Sequence, residues 1–162
     1  MTSGRALGWT GPTLRTALVA AALLLVSGSA RGQSCSVSVA SGVSFGAYDP
    51  LNTSPLDQTG SITYQCGILF LGTVTIDLST GSSGTFAFRE LEKGGDSLRY
   101  NLYRDATRLL IWGNGTSGSS RFGPALPLLG IPQTLTIYGR IPARQASPVG
   151  TYTDTVTVTI NF

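Results

Sequence analysis

An all-β, antiparallel sandwich is the fold class this sequence predicts, and three observations carry it. Short stretches alternate apolar and polar residues, as in Ile62, Tyr64 and Cys66, or Val74, Ile76 and Leu78, or Leu98, Tyr100 and Leu102. A period of two puts alternate side chains on opposite faces of a strand. Gly, Pro, Ser and Asn cluster between these stretches and read as turns. Beyond the N-terminal apolar run, no stretch longer than one turn has helical spacing.

At the N-terminus, Arg5 and Arg15 precede the apolar run from Ala17 to Val26, which small residues Ser27, Gly28, Ser29 and Ala30 follow. That is the layout of a secretory signal peptide. The run is about ten residues, where a membrane span needs roughly 20. Residues 1–30 are therefore expected to be a signal, cleaved after Ala30 or Gly32, with 31–162 as one domain; a retained membrane anchor is the alternative. The net charge of +3, from 11 basic and 8 acidic residues, belongs mostly to the signal. Without Arg5 and Arg15 the mature chain keeps nine basic against eight acidic residues, and eight against eight if Arg31 leaves too. No basic cluster remains for nucleic acid, and no membrane span is expected in the mature chain.

Cys35, Val37 and Val39 alternate as a first strand. Ser44 to Pro50 is a short extended piece ending in a turn, and Asn52 to Gly60 reads as a polar loop. Strands are expected at Ser61–Cys66, Val74–Leu78 and Leu98–Arg104, with a short edge strand at Thr85–Arg89 and a charged loop over Glu90–Ser97. Leu109–Trp112 is a short apolar strand stopped by the hairpin-turn signal Gly113-Asn114-Gly115. Strand returns at Leu135–Ile141. The run from Val156 to Phe162 closes the sequence, with Val156, Val158, Ile160 and Phe162 on one face. Cys35 and Cys66 are the two cysteines. In an exported chain two thiols pair, and the loop they close, about 30 residues, is worth roughly 3–4 kcal/mol in the chain-entropy model; two free buried thiols are the alternative.

The residue types for catalysis are thin. There is no histidine, so triads that need it cannot be built and the commonest metal ligand is missing. Glu90, Glu92 and Asp96 could serve as paired glycosidase carboxylates, but acids in a Gly-rich loop more often face solvent. No enzymatic activity, catalytic residue, metal site or cofactor is expected.

Six islands together resemble one family. They are Cys35 with Phe45-Gly46-Ala47-Tyr48; Gly60 to Cys66; Leu98 to Asp105; Trp112-Gly113-Asn114-Gly115-Thr116; Tyr138-Gly139-Arg140-Ile141; and Gly150 to Phe162. The chain resembles the spore coat protein U domain family, which also holds subunits of archaic chaperone–usher pili. The resemblance implies an incomplete immunoglobulin-like antiparallel sandwich that lacks its last strand and carries one disulfide. It implies a groove filled first by a strand from a periplasmic pilus chaperone and then by another pilus subunit, with an outer-membrane usher as the third partner. Val156, Val158, Ile160 and Phe162 are the residues expected to meet the chaperone or donor strand. The implied function is an exported structural or adhesive pilus subunit; a spore or cell coat protein is the alternative. Pattern alone leaves open a complete sandwich whose last strand is simply last.

Two further expectations concern assembly. Only Arg31 to Ser34 stand between the expected cleavage and Cys35. At roughly 3.3 Å per residue they reach about 13 Å, less than an ordinary strand. The chain is thus expected to accept a donor strand but not to give one, as at a fibre tip or outside a fibre. Ile68-Leu69-Phe70-Leu71 and the Pro-bounded segment Leu126 to Pro132, with Leu128 and Leu129, are expected to form an exposed apolar adhesive patch. Alternatively they begin a core strand and cover the sandwich end.

Overall fold

A computed structural model describes residues 34–162; the expected signal peptide lies outside the described residues. Among the described residues there are eight strands and one 3-10 turn. The strands are β1 (Cys35–Ser41), β2 (Leu56–Cys66), β3 (Val74–Leu78), β4 (Arg89–Lys93), β5 (Asp96–Tyr103), β6 (Phe122–Ala125), β7 (Gln133–Ile141) and β8 (Val158–Asn161). They form a five-stranded sheet in the order β1-β2-β7-β5-β4 and a three-stranded sheet in the order β6-β3-β8. Every pairing between the strands is antiparallel. The expected all-β sandwich is therefore the architecture found.

The alternation seen in the sequence sets which faces meet. Ile62, Tyr64 and Cys66 of β2, Val74, Ile76 and Leu78 of β3, Leu98, Tyr100 and Leu102 of β5, and Ile137 and Ile141 of β7 turn inward and are buried, with Trp112 among them. Each fully buried aliphatic side chain contributes about 1.5–3 kcal/mol relative to exposure. The outer face of the large sheet is polar: Thr63 and Thr134 hydroxyls bond across β2 and β7 at 3.1 Å, and Arg140 meets both oxygens of Asp57 at 2.7 and 2.8 Å. Cys35 sits opposite Cys66 in the β1–β2 ladder, and the two are disulfide-bonded.

Several elements differ from the sequence expectation. The polar stretch Asp57–Gly60 is not loop but the first half of β2, paired residue for residue with β7. Its polarity suits the outward face and the Asp57–Arg140 pair. The charged stretch after Arg89 is also strand: Glu90, Leu91, Glu92 and Lys93 pair with β5 across a Gly94-Gly95 turn. The expected edge strand at Thr85–Arg89 starts only at its last residue. Leu109–Trp112 contributes isolated bridges, Tyr103 to Ile111 and Trp112 to Ser120, not a strand. β6 contains Gly123-Pro124, and Pro removes a ladder donor, which hid it from the pattern. The ladder of the last strand begins at Val158, two residues later than the alternation does.

One buried group was not anticipated. Arg89 is wholly buried with no carboxylate in contact. Its guanidinium donates to the Ser79 carbonyl at 2.9 and 2.7 Å, to Asn101 Oδ1 at 2.7 Å and to the Trp112 carbonyl at 2.7 Å. Burial lowers its pKa from the ordinary arginine value, and the Asp154 carboxylate opposes that shift. With these bonds it ties the end of β3, β5 and the Trp112 turn together at the β4 side.

Candidate functional site

The segment leading into β8 crosses from one sheet to the other. At Thr153 it exchanges two backbone hydrogen bonds with Glu92 of β4, at 2.8 and 3.1 Å. From Val158 it pairs with β3, Val158 opposite Leu78 and Ile160 opposite Ile76. Tyr152, Asp154, Val156, Val158 and Ile160 face inward along this path, half-buried, while the threonines between them face out.

The other side of the sandwich is open. β1 pairs only with β2, and β8 pairs only with β3; no strand pairing joins β1 to β8. Val39 continues the inward alternation of β1, yet it is 54% exposed. Two clefts, of about 320 and 670 Å³, lie between the segment from Val39 to Pro50 and the segment from Ser147 to Val158. They share Val43, Phe45, Leu91 and Asp154, so they form one groove. Its floor is core: Leu78, Leu91, Leu98, Tyr100, Leu102, Ile137 and Ile141. Phe45 lies edge-on to Tyr100, with ring centroids 5.7 Å apart. Tyr48 pins the lip, donating to the Pro142 carbonyl at 2.9 Å and accepting the Gln145 amide at 2.7 Å.

Asp154 stands where the two clefts join. Its Oδ2 accepts the Tyr100 hydroxyl at 2.6 Å, and its Oδ1 accepts the amides of Ser82 at 3.0 Å and Thr155 at 2.7 Å. Burial raises the Tyr100 pKa and the bond to Asp154 adds to it, so the phenol stays protonated at any ordinary pH.

Of the residues singled out in the sequence, Val156 and Val158 line the groove. Ile160 packs on the core beside it. Phe162 is 59% exposed, its ring 6.0 Å from that of Phe70. The two apolar loops do meet at one end of the sandwich: the Gly130 amide donates to the Cys66 carbonyl at 2.9 Å, and Gln65 Nε2 donates to the Gly130 carbonyl at 3.0 Å. Ile68, Leu69, Leu71, Leu128 and Leu129 are exposed there. Phe70 is not: it is 4% exposed and belongs to the core, because its ring turns under the loop onto the sandwich. Asp105 takes the amides of Leu109 and Leu110 in its own loop, and Arg104 donates to the Arg121 carbonyl. Glu90 and Asp96 each meet a cation, Arg99 at 3.6 Å and Lys93 at 3.4 Å. Val39, Val43, Tyr100 and Asp154 of the groove were not foreseen as site residues. Alternation had marked Val39 and Tyr100 as inward-facing, and nothing local marked Val43 or Asp154.

A single-disulfide, immunoglobulin-like sandwich with one side unpaired and an apolar groove along it is the class these features define. The Spore Coat Protein U domain model matches residues 20–159, and the chain belongs to that family. It is 37% identical over 147 residues to Protein U of Myxococcus xanthus, a match covering 81% of this chain and 79% of that protein. Its fold is similar to a chain in the crystal structure of the CsuC–CsuE chaperone–tip adhesion subunit pre-assembly complex, from archaic chaperone–usher Csu pili of Acinetobacter baumannii. The TM-score is 0.51 at 21% identity, covering 80% of this chain and 40% of that one. The chain thus spans less than half the length of that structural relative. No helix among the described residues is long and apolar enough to cross a membrane.

Proposed function

We propose that this chain is an exported, non-enzymatic subunit of an archaic chaperone–usher pilus, which accepts a strand from a periplasmic chaperone and later from another subunit. The observation that carries the reading is the groove beside the free edges of β1 and β8: neither strand has a hydrogen-bonded partner on that side, and core residues are open between Val39 and Val43 on one lip and Val156 and Val158 on the other. An added strand would bond its backbone to these edges and seat alternate side chains on Val39, Val43, Val156 and Val158. Unfilled, the same edges invite aggregation. Export follows from the Arg-flanked apolar run and small residues at the N-terminus, which form a cleavable signal.

Co-expression with a periplasmic chaperone from a pilus operon, followed by pull-down and urea unfolding, tests this. A stable complex is expected. A bound strand at a hundredfold its Kd adds about 2.7 kcal/mol to unfolding. A soluble monomer that ignores the chaperone and unfolds at the same urea concentration with and without it would overturn the reading. The tip position expected from the short stretch before Cys35 has its own test: the mature protein alone should form no fibres.

At the fibre end, the exposed leucines and isoleucines around Gly130 form an adhesive patch. Leu69→Ser with Leu128→Ser should lower attachment to hydrophobic surfaces with folding unchanged, whereas Phe70→Ser should unfold the protein. The match to Protein U and the family description favour a second reading, a coat protein using the same groove. Chaperone and usher genes beside this one distinguish the pilus.

A further inference from the structure

β7 runs on past the strand beside it. β2 pairs with it from Gln133 to Ile141, but β5 pairs only with Tyr138, Gly139 and Arg140, because after Tyr103 the chain turns back to bond with Leu110 and Ile111. Residues 133–137 therefore have no strand on their second side, and among the described residues no backbone bond reaches them there. β6 pairs only with β3, so the smaller sheet has a free edge as well. Between β7 and β6 lies a cleft of about 260 Å³, with Trp112, Phe122 and Leu135 on the core side and Thr134, Thr136 and Arg104 around them.

Arg104 continues the inward alternation of Tyr100 and Leu102, and its guanidinium stands 5.8 Å from the centre of the Phe122 ring. It donates to the Arg121 carbonyl and has no carboxylate partner among the described residues. The acids nearby are taken: Asp57 by Arg140 and Arg108, Asp77 by Arg121, and Asp105 by Thr107 and the amides of Leu109 and Leu110. A guanidinium carries a planar fork of donors, so most of those on Arg104 remain for a ligand. The cleft thus joins a free strand edge, an apolar floor and an unpaired positive charge.

We propose that this notch is a second docking site, in which an extended acidic segment of a partner protein adds to the free edge of β7 and sets an aspartate or glutamate carboxylate on Arg104. The free amides and carbonyls of residues 133–137 supply the backbone ladder. Alternate side chains of the added strand face the core, so a segment with an acid at one inward position and an aliphatic residue at the next fits both Arg104 and the floor of Leu135 and Phe122. The site is separate from the groove beside β1 and β8 and does not depend on it.

The probe is a capped synthetic peptide with threonine at alternate positions and valine, glutamate and valine between them, compared with the same peptide carrying glutamine for glutamate. Trp112 is the one tryptophan outside the expected signal, so its fluorescence in the mature protein reports on this cleft. The glutamate peptide should change that fluorescence and bind on the order of tenfold more tightly than the glutamine peptide, with the difference shrinking as salt rises. Arg104→Gln should abolish the difference. Hydrogen exchange of the unaltered protein decides the matter even where that variant folds poorly: the bound peptide should protect amides within 133–137 and leave those of β1 and β8 as they were. Equal binding of the two peptides, a glutamate preference that survives Arg104→Gln, protection on β1 and β8 instead of β7, or no binding at all would overturn the proposal. So would a response to polygalacturonate and to no peptide, since the cleft would then hold an acidic sugar.

Discussion

Where β4 approaches the smaller sheet, Thr153 and Glu92 exchange two backbone bonds, and the wholly buried Arg89 joins Ser79, Asn101 and Trp112. Where β1 approaches it, no strand pairing crosses, and Val39 stands in water although it continues the inward face of its strand. Both sides are lined by inward-facing residues of alternating strands. One side is finished by the chain's own backbone, and on the other no backbone ladder joins the sheets. Inward alternation, then, marks where a core side chain points but not whether a neighbour covers it.

The largest effect is expected on the closed side. Arg89→Ala takes the donor from the Ser79 and Trp112 carbonyls and leaves the Asn101 oxygen with only the Leu102 amide. It should cost about 3 kcal/mol or more, measured by urea unfolding. A loss below about 1 kcal/mol would mean that water replaces the guanidinium and that Arg89 is not what closes this side.

The disulfide has comparable weight, at the N-terminal end of β1 where its ladder with β2 begins. Cys35→Ser with Cys66→Ser removes a link across 31 residues of sequence, at a cost of roughly 3–4 kcal/mol. The comparison adds a sharper expectation: strand capture should weaken too, because β1 is held on one side only.

On the open side the order inverts. Val39→Ser should change the stability of the isolated protein by no more than about 0.5 kcal/mol, since the side chain already meets water. In the strand-bound form the same change should cost on the order of tenfold in affinity. A large loss in the isolated protein would show that this edge is already covered.

The smallest effect concerns pH. Hydrogen bonding to Arg140 holds the Asp57 pKa below its ordinary value. A depressed folded-state pKa gives stability that is present above the unfolded value and lost as pH falls through the folded one. Asp57→Asn should therefore flatten the acid limb of a stability–pH curve and leave its shape above the carboxylate range unchanged.

The sheet strands were legible where one face is apolar and the other polar. That covers β3, most of β5 and β7, and the second half of β2. The first half of β2 and β4 beyond Arg89 were read as loops because Asp57, Gln58, Glu90, Glu92 and Lys93 look solvated; they stay wholly or partly exposed, but within strands. Arg89 could not be anticipated, since two of its three partners are carbonyls of distant turns, which leave no mark in the side-chain pattern. The groove shows the same limit. Val156 and Val158 were singled out through the family resemblance, while Val39, Val43 and Asp154 gained their meaning only when the fold set them across from one another. In the apolar patch, period and position suggested four like residues from Ile68 to Leu71, and the fold divides them into three exposed and one buried.

Hydrogen exchange of the β1 and β8 amides that do not face β2 or β3 tests the missing-strand account most directly, with the mature protein alone and then bound to a chaperone or peptide strand. Rapid exchange alone and strong protection on binding are expected, confined to these two edges. Protection already present in the isolated monomer would contradict the account, because it would mean that the chain's own backbone fills the gap.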